Sequence, residues 1–212
     1  MPEFDRQLTN LRDAGYPPEV IAAAEPLWKL VPPVVDGSAI PFVLVVKGVP
    51  AADVIAHVQL RGKAGFTSMD ADDLAQFRPI PAVDLPAGAA YLITEVDTGK
   101  ATLGVTPQDG LERILDEGRS PLTLDEGLAL AIQFPDALTS MNAFEMVGSR
   151  CGDRRVTGVW VSKDGRPRLG WCWVGNPHTW LGMASCAERV AASGPAAGRV
   201  QAGQSRPTAR TA

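Results

Sequence analysis

The sequence predicts an α+β fold with N-terminal helices, mixed strands, a C-terminal β-hairpin module containing cysteine and histidine, and a disordered tail. Apolar residues recur at helical spacing near the N-terminus, and residues 42–46 form a short apolar run typical of a buried strand. Helices and strands alternate irregularly, which favours α+β. The 212 residues fit one domain, or one domain with an appendage. We expect a body over 1–143, a Cys/His- and Trp-rich module over 144–187, and a tail over 188–212.

The first elements are predicted from apolar spacing and from prolines. Gly15 ends the first helical run, and two proline pairs bracket the second, because proline starts helices well but interrupts their interior. A short apolar stretch after Pro50 indicates a third helix, and the acidic run at 70–73 is typical of a further helix start. The expected elements are helices over 4–14, from about 17 to 31 and over 51–58, with a strand over 42–46.

Two later helices are predicted from their caps. Thr106 followed by Pro107 gives an N-cap with proline at the first helical position, and this helix should end at Gly118. Thr123 and Glu126 have the spacing of a capping box, in which each side chain bonds the other residue's backbone amide. That second helix should continue to about residue 134.

Two β-hairpins are also predicted. The first joins strands over 90–96 and 102–105. The second joins strands over 156–162 and 167–173 through the Asp-Gly pair at 164–165, a strong signal for a two-residue turn. With that turn, Thr157 would face Cys172. One face of the second hairpin would then carry Trp160, Leu169, Trp171 and Trp173, and Cys172 would point from the other.

The thiols lie close together in the sequence and predict a metal site. All three cysteines fall in the C-terminal stretch, together with one of the two histidines. Three thiolates and one imidazole form the ligand set of a closed tetrahedral zinc site, and the open end of the second hairpin would bring the segments together. The predicted ligands are Cys151, Cys172, His178 and Cys186. Two alternatives remain open: small buried hydrophobes packed against the tryptophans, or a reactive thiol.

An enzyme site is the main alternative built on the same segment. Cys151 and Asp153, with His178, provide the residue types of a Cys-His-Asp hydrolase or transferase. Nearby arginines would favour the thiolate or bind an anionic substrate, although surface charges of this kind are usually solvated. These arginines are Arg150, Arg154 and Arg155.

A tryptophan cluster gives a third possibility. Aromatic rings stack on planar ligands or hold cations, although they more often belong to a core. Asn176 lies in a turn-like segment and would either orient His178 or satisfy the turn. The candidate ligand-binding residues here are Trp171, Trp173, Asn176 and Trp180.

Several long strings resemble those of an actinobacterial family known only as a domain of unknown function. The most distinctive are SRCGDRR at 149–155 and GWCW-GNPHTWLG-ASC within 170–186. Further matching strings are RGKAGF, FRPIP and GRSPLTLDEGLAL, so the resemblance covers most of residues 1–187. It supports treating the three cysteines and His178 as one site, and it implies no particular activity or substrate.

Composition limits the remaining possibilities. The net charge of −4 argues against nucleic acid as the main partner. The N-terminus lacks the apolar segment of a signal peptide, and no apolar run approaches the length of a membrane span, so we expect a cytoplasmic protein with reduced thiols. The leading hypothesis is a zinc-binding adaptor or regulatory protein with a protein partner. The alternatives are the thiol or open-zinc enzyme and the small-ligand-binding protein; the sequence does not specify an oligomeric state.

Overall fold

A computed structural model describes residues 2–33 and 40–192, and these residues form helices and mixed sheets. The predicted α+β class is therefore confirmed. The helices are α1 (Pro2–Asp13), α2 (Pro18–Ala24), α3 (Ala51–His57), α4 (Ala71–Leu74), α5 (Pro107–Asp116) and α6 (Leu124–Gln133). Short 3₁₀ helices span Glu25–Leu30, Lys100–Thr102 and Pro135–Ala137. Among the described residues, no helix is both long and apolar enough to cross a membrane.

The strands form two main sheets and three small pairs. They are β1 (Ile40–Val46), β2 (Gln59–Leu60), β3 (Lys63–Ala64), β4 (Phe66–Thr67), β5 (Arg78–Pro79), β6 (Ala90–Val96), β7 (Ser120–Pro121), β8 (Ala143–Met146), β9 (Ser149–Arg150), β10 (Arg155–Val161), β11 (Pro167–Trp173), β12 (Leu181–Met183), β13 (Ser185–Cys186) and β14 (Arg189–Val190). A mixed sheet has the order β12-β8-β10-β11-β4, and an antiparallel sheet has the order β1-β6-β14.

Helix α6 lies at the centre because it contacts β1 of one sheet and β8 and β10 of the other. Its predicted capping box is present, with Thr123 and Glu126 bonding each other's backbone amides. Every residue of α6 except Asp125 is buried. At Gly127 the helix approaches β8 so closely that a Cβ atom would lie 2.2 Å from Cγ of Met146. Glycine at this position therefore sets the distance between the central helix and the mixed sheet.

The other helix predictions also agree with the structure. The first three predicted helices correspond to α1, α2 and α3, with the second one ending as the 3₁₀ helix Glu25–Leu30. The Thr106 side chain caps α5 by accepting a 3.1 Å hydrogen bond from the amide of Asp109. Gly118 follows this helix with a φ of +69°, as expected for a helix end. Local capping signals were thus sufficient to place these elements.

The side chain of Gln7 covers the edge strand of the smaller sheet. It donates to the carbonyl of Phe42 at 3.1 Å and accepts from the amide of Leu44 at 2.7 Å, so it bonds β1 as a neighbouring strand would. Gln7 is fully buried, and these bonds satisfy its amide. The edge of β1 is thereby closed by a helix side chain.

A buried ion pair joins the C-terminal strand β14 to the central helix. Arg189 donates to both carboxylate oxygens of Glu126 at 2.6 and 2.8 Å, and only 7% and 0% of the two side chains is exposed. Glu126 also accepts from the Tyr91 hydroxyl at 2.8 Å. The predicted start of the tail at 188 therefore needs correction, because β14 pairs with β6 in the core. The rest of the predicted tail, 193–212, lies outside the described residues.

The predicted hairpin between 90–96 and 102–105 is wrong. β6 forms as expected, but its neighbours are β1 and β14, and residues Lys100–Thr102 form a 3₁₀ helix. Gly99 adopts a φ of +82° and its amide is held by the Asp97 side chain at 2.7 Å. A Cβ atom at Gly99 would lie 2.3 Å from the amide nitrogen of Met183. Contact with β12 therefore turns the chain away from β6.

The second hairpin forms as β10 and β11, but its register is shifted by one residue. The connection is a three-residue loop in which Gly165 has a φ of +79°, typical of a type I turn followed by a left-handed residue. Cys172 consequently faces Val156 rather than Thr157. Because a one-residue shift reverses the face of every side chain, Trp160 lies on the Cys172 face, opposite Trp171.

Strands of the predicted module are interleaved with those of the predicted body. β4 pairs with β11, β5 with β9, and β7 with β13, and a single large apolar core contains residues from both parts. A smaller apolar cluster lies on the other face of the mixed sheet, where α5 packs on β12. The predicted module therefore packs on the predicted body and shares strand pairing and an apolar core with it.

We expect Arg189→Met to lower the free energy of unfolding by about 3–5 kcal/mol, because it leaves the buried Glu126 carboxylate without its cation. Urea denaturation followed by circular dichroism measures this loss. Arg113→Met is the matched control, since Arg113 forms an exposed ion pair with Glu117 and should cost only about 0.3–0.5 kcal/mol. Equal losses in the two variants would contradict a structural role for β14.

Candidate metal centre

Glu145 places a carboxylate in the middle of the mixed sheet. It lies on β8 opposite Gly158 of β10, and its side chain is fully buried. Gly158 in turn faces Gly170 of β11. A Cβ atom at Gly158 would approach Cγ of Glu145 to 3.3 Å, so this glycine leaves room for the glutamate side chain above the sheet.

Cys172 reaches the same face from β11. It pairs with Val156, two residues along β10 from Gly158, so its side chain lies in the row next to Glu145. Burial raises the pKa of the Cys172 thiol to about 12, and the adjacent Glu145 charge acts in the same direction. Without a cation nearby, the sulfur is therefore a neutral thiol at physiological pH.

His178 completes the group from the loop between β11 and β12. Its carbonyl accepts a 2.8 Å hydrogen bond from the amide of Gly104, which fixes the loop over the sheet. Its ring packs against that of Trp180 with centroids 5.4 Å apart. Burial lowers the pKa of His178, so the imidazole is neutral and its nitrogen lone pair is available as a ligand.

The three side chains converge on one point. One carboxylate oxygen of Glu145, the Cys172 sulfur and one ring nitrogen of His178 all lie within 4.8 Å of one another. Zinc bonds of about 2.0–2.3 Å place tetrahedral ligand atoms roughly 3.5 Å apart, so small side-chain rotations would bring these atoms to a common ion. The described residues contain no other group of three metal-ligating side chains at this separation.

Polar atoms in this group lack hydrogen-bond partners. Among the described residues, both carboxylate oxygens of Glu145 and Nε2 of His178 are buried and unbonded. Burial raises the pKa of Glu145 to about 8, although the nearby Cys172 thiol and Arg150 guanidinium oppose this shift. A buried polar atom without a partner costs about 1–3 kcal/mol, and native proteins contain few of them. Glu145, Cys172 and His178 are thus a group of side chains that could hold a metal ion.

The structure brings together only two of the four predicted ligands, Cys172 and His178. Cys186 lies in β13, paired with β7, and is fully buried in the main core, where burial raises its pKa to about 12. Cys151 lies just before β10, and its thiol donates to Asp153 at 3.1 Å. The four predicted ligands thus do not meet at one point, and the third member of the observed group is Glu145.

The predicted arginines have separate roles. Arg155 is bound by two carboxylates, since it donates to Asp73 at 2.7 and 2.8 Å and to Asp153 at 2.7 Å. Arg154 is exposed on the surface. Arg150 is half-buried, forms no ion pair among the described residues, and has one buried Nη2 without a partner. Of the three, Arg150 is the one that interacts electrostatically with Glu145.

The tryptophans form two pairs rather than one cluster. Trp160 packs edge-on against Trp180, with centroids 6.0 Å apart, on the face that carries the metal-ligating group. Trp171 and Trp173 form an edge-on pair at 4.8 Å on the opposite face. Asn176 is exposed, and its amide closes a turn by donating to the carbonyl of Trp173 at 3.0 Å.

Glu145 was not identified from the sequence because no spacing pattern connects it to Cys172 or His178. Its one signal is chemical. It is the only charged residue in the run 143–147, where every residue is buried. A lone carboxylate inside a buried strand needs a cation or a proton to neutralise its charge. This need could have identified Glu145 from the sequence as a candidate site residue.

A cavity of about 1280 Å³ lies elsewhere in the molecule. It is bounded by α1, the C-terminal end of α6 and the end of β6, with Arg6, Glu95 and Gln133 among its lining residues. Neither Glu145, Cys172 nor His178 contributes to it. The metal-ligating group is therefore a compact site on the face of a sheet rather than part of this cleft.

Comparisons with known proteins give a family but no activity. The sequence model described as "Family of unknown function (DUF5701)" matches residues 8–192. No curated protein and no solved structure gives a significant match. The matched range contains the metal-ligating group, β14 and every cysteine.

We expect Cys151 to react slowly with iodoacetamide in the native protein at neutral pH. Burial raises the pKa of its thiol, and its hydrogen bond to Asp153 acts in the same direction, so little reactive thiolate is present. Mass spectrometry of the alkylated peptide measures the rate, with the urea-unfolded protein as the control. Faster reaction in the native than in the unfolded protein would restore the thiol-enzyme hypothesis.

Proposed function

Because the chain belongs to the Family of unknown function (DUF5701), which carries no assigned activity, we propose its function from its own side chains: a zinc-binding regulatory or adaptor protein of the cytoplasm. Its ligands are Glu145, Cys172 and His178. The observation that carries the proposal is the convergence of three ligand atoms of which the Glu145 oxygens and His178 Nε2 are buried and unpaired. We also propose that the protein comes from an actinobacterium, because the sequence strings at 149–155 and 170–186 resemble those of an actinobacterial family.

Charge supports a divalent cation at this site. A metal ion would allow both Glu145 and Cys172 to ionise, since a cation stabilises the charged forms that burial disfavours. The resulting two negative charges and a neutral imidazole balance an ion of charge +2. Without the ion, burial keeps Glu145 and Cys172 largely protonated, and the carboxyl oxygens of Glu145 have no hydrogen-bond partner among the described residues.

The ligand types favour zinc among common cations. Magnesium and calcium bind oxygen ligands almost exclusively, and copper(I) prefers several sulfur ligands. One thiolate, one imidazole and one carboxylate form a mixed borderline set that suits zinc. The three cysteines are all free thiols, which agrees with the reducing cytoplasm included in the proposal.

Cobalt substitution provides a direct test. Adding Co²⁺ to chelator-treated protein should give the near-ultraviolet thiolate-to-cobalt absorption at one ion per chain, and zinc should displace it. Cys172→Ser should remove that absorption, and His178→Ala and Glu145→Gln should each weaken binding by about tenfold or more.

Cys151→Ser is the matched control for the cobalt experiment. This variant removes a cysteine that lies outside the three-residue group, so the absorption and the stoichiometry should stay unchanged. Loss of the cobalt signal in Cys151→Ser would show that Cys151 is a metal ligand, as the sequence predicted. Absence of any cobalt signal in the wild-type protein would remove the metal proposal.

An open-zinc enzyme is the second candidate function, and one observation favours it. Three protein ligands leave a tetrahedral ion with one position for water or substrate, which is the arrangement of catalytic zinc sites. Arg150 adds a half-buried cation that interacts with Glu145 and lacks an ion pair among the described residues. Once the metal is balanced by its ligands, Arg150 favours a small anion in the open position.

We expect the cobalt-loaded protein to bind small anions such as azide or acetate. Anion entry at the open position should change the visible cobalt spectrum, and Arg150→Met should weaken this response about tenfold while leaving cobalt binding intact. Arg154→Met is the control because Arg154 is exposed. A spectrum insensitive to anions would count against the enzyme and leave the regulatory or adaptor function.

A further inference from the structure

The imidazole of His178 has no hydrogen bond from the protein to hold its ring in the candidate metal centre. Among the described residues, no group bonds either ring nitrogen, and Nε2 is also buried. Histidines that bind metal ions usually donate the second ring nitrogen to a carboxylate or a carbonyl, which fixes the direction of the ring. In this chain, the contact on the ring comes from an aromatic side chain instead.

Trp180 makes this contact from a position two residues beyond His178. The centroids of the two rings lie 5.4 Å apart, and the ring planes are inclined by 55°. This separation lies in the range of favourable aromatic pairs. Main-chain bonds fix both residues, since the carbonyl of His178 accepts from Gly104 at 2.8 Å and that of Trp180 accepts from Ala143 at 2.9 Å. The fold therefore sets the distance between the two rings.

Trp180 is itself held on the sheet by Trp160 of β10. Their rings pack edge-on, with centroids 6.0 Å apart and planes at 76°. Trp160 lies over the backbone of β11, because a Cβ atom at Gly170 would come to 2.3 Å from Cη2 of Trp160. Glycine at 170 thus leaves the space that the Trp160 ring occupies. Trp160 in turn limits the rotation of the Trp180 side chain.

A cation fixes the far end of this row of rings. Cζ of Arg168 lies 5.6 Å from the centroid of the Trp160 ring and 5.9 Å from that of Phe66. Cation–π contacts of this kind are attractive. Arg168 and Phe66 are paired on the neighbouring strands β11 and β4, so the mixed sheet determines the position of both. Packed side chains therefore connect β4 to the imidazole through Arg168, Trp160 and Trp180.

We propose that Trp180 is a positioning residue of the metal centre, an inference that rests on the proposed metal-binding function. Its indole holds the imidazole of His178 with a ring nitrogen directed toward the Cys172 sulfur and the Glu145 carboxylate. Trp180 offers no ligand atom of its own, because its indole nitrogen is only a hydrogen-bond donor. It acts through His178 by orienting the ring before the ion arrives, which lowers the ordering cost of binding.

Cobalt titration of tryptophan variants provides the test. Trp180→Ala should raise the dissociation constant for Co²⁺ about tenfold, as expected when a residue that orients a ligand is removed. Trp180→Phe keeps an aromatic ring against the imidazole and should restore most of the affinity. Trp173→Ala is the matched control and should leave the affinity unchanged. Trp173 also packs edge-on against a tryptophan, at 4.8 Å, but it lies on the opposite face of the sheet.

A double-mutant cycle separates positioning from a general loosening of the site. In a His178→Ala background, Trp180→Ala should cause no further loss of cobalt affinity, because the residue through which it acts is gone. Circular dichroism checks the folding of each variant. Trp180→Leu, which keeps apolar bulk without a ring, replaces Trp180→Ala throughout if the alanine variant unfolds, and it should also weaken binding.

The outcomes distinguish this inference from the function on which it rests. Unchanged cobalt affinity after the ring of Trp180 is removed would overturn the inference and leave the metal site standing. An equal loss of affinity with and without His178 would also overturn it, because Trp180 would then not act through the imidazole. Absence of cobalt absorption in the wild-type protein would overturn the metal site and the inference together.

Discussion

The ion pair between Arg189 and Glu126 connects the C-terminal strand β14 to the start of the central helix α6, 63 residues earlier in the chain. Glu126 is both the capping residue of the central helix and the acceptor for Tyr91 on β6. Arg189 brings β14 to the same point and also donates to the carbonyl of Pro121. The Glu126 carboxylate therefore fixes the start of α6 relative to the smaller sheet. On its other side, α6 packs against the mixed sheet. The position of Glu145 depends on that arrangement.

Glu126 and Glu145 show two outcomes for a buried carboxylate in one fold. Glu126 has its charge balanced by a guanidinium and its oxygens occupied by four donors. Glu145 has no ion pair among the described residues, and both oxygens are unbonded. The first arrangement is complete within the chain. The second is complete only with a proton or a cation, and the nearby thiol and imidazole favour the cation.

Local sequence signals predicted the helices well. Strand pairing and the composition of the candidate site depend on long-range contacts, which the sequence does not reveal. The caps at Thr106 and Thr123 act within one turn, so the sequence was sufficient for α5 and α6. The expected partner of β6 did not form because Gly99 packs on Met183, which lies 84 residues later in the chain, in a strand of the mixed sheet. Cys172 and His178 were recognised from their chemistry. Glu145 was missed because only the pairing of β8 with β10 brings it beside them.

The loop that carries His178 is bonded to the segment before α5. Gly104 donates to the carbonyl of His178 at 2.8 Å, and Gln108 donates to the carbonyl of Val174 at 3.1 Å. The segment that carries the imidazole is therefore joined by backbone hydrogen bonds to Gly104 and to the first turn of α5. Deuterium uptake at the amides of Gly104 and Gln108 therefore reports on the stability of the loop that carries His178.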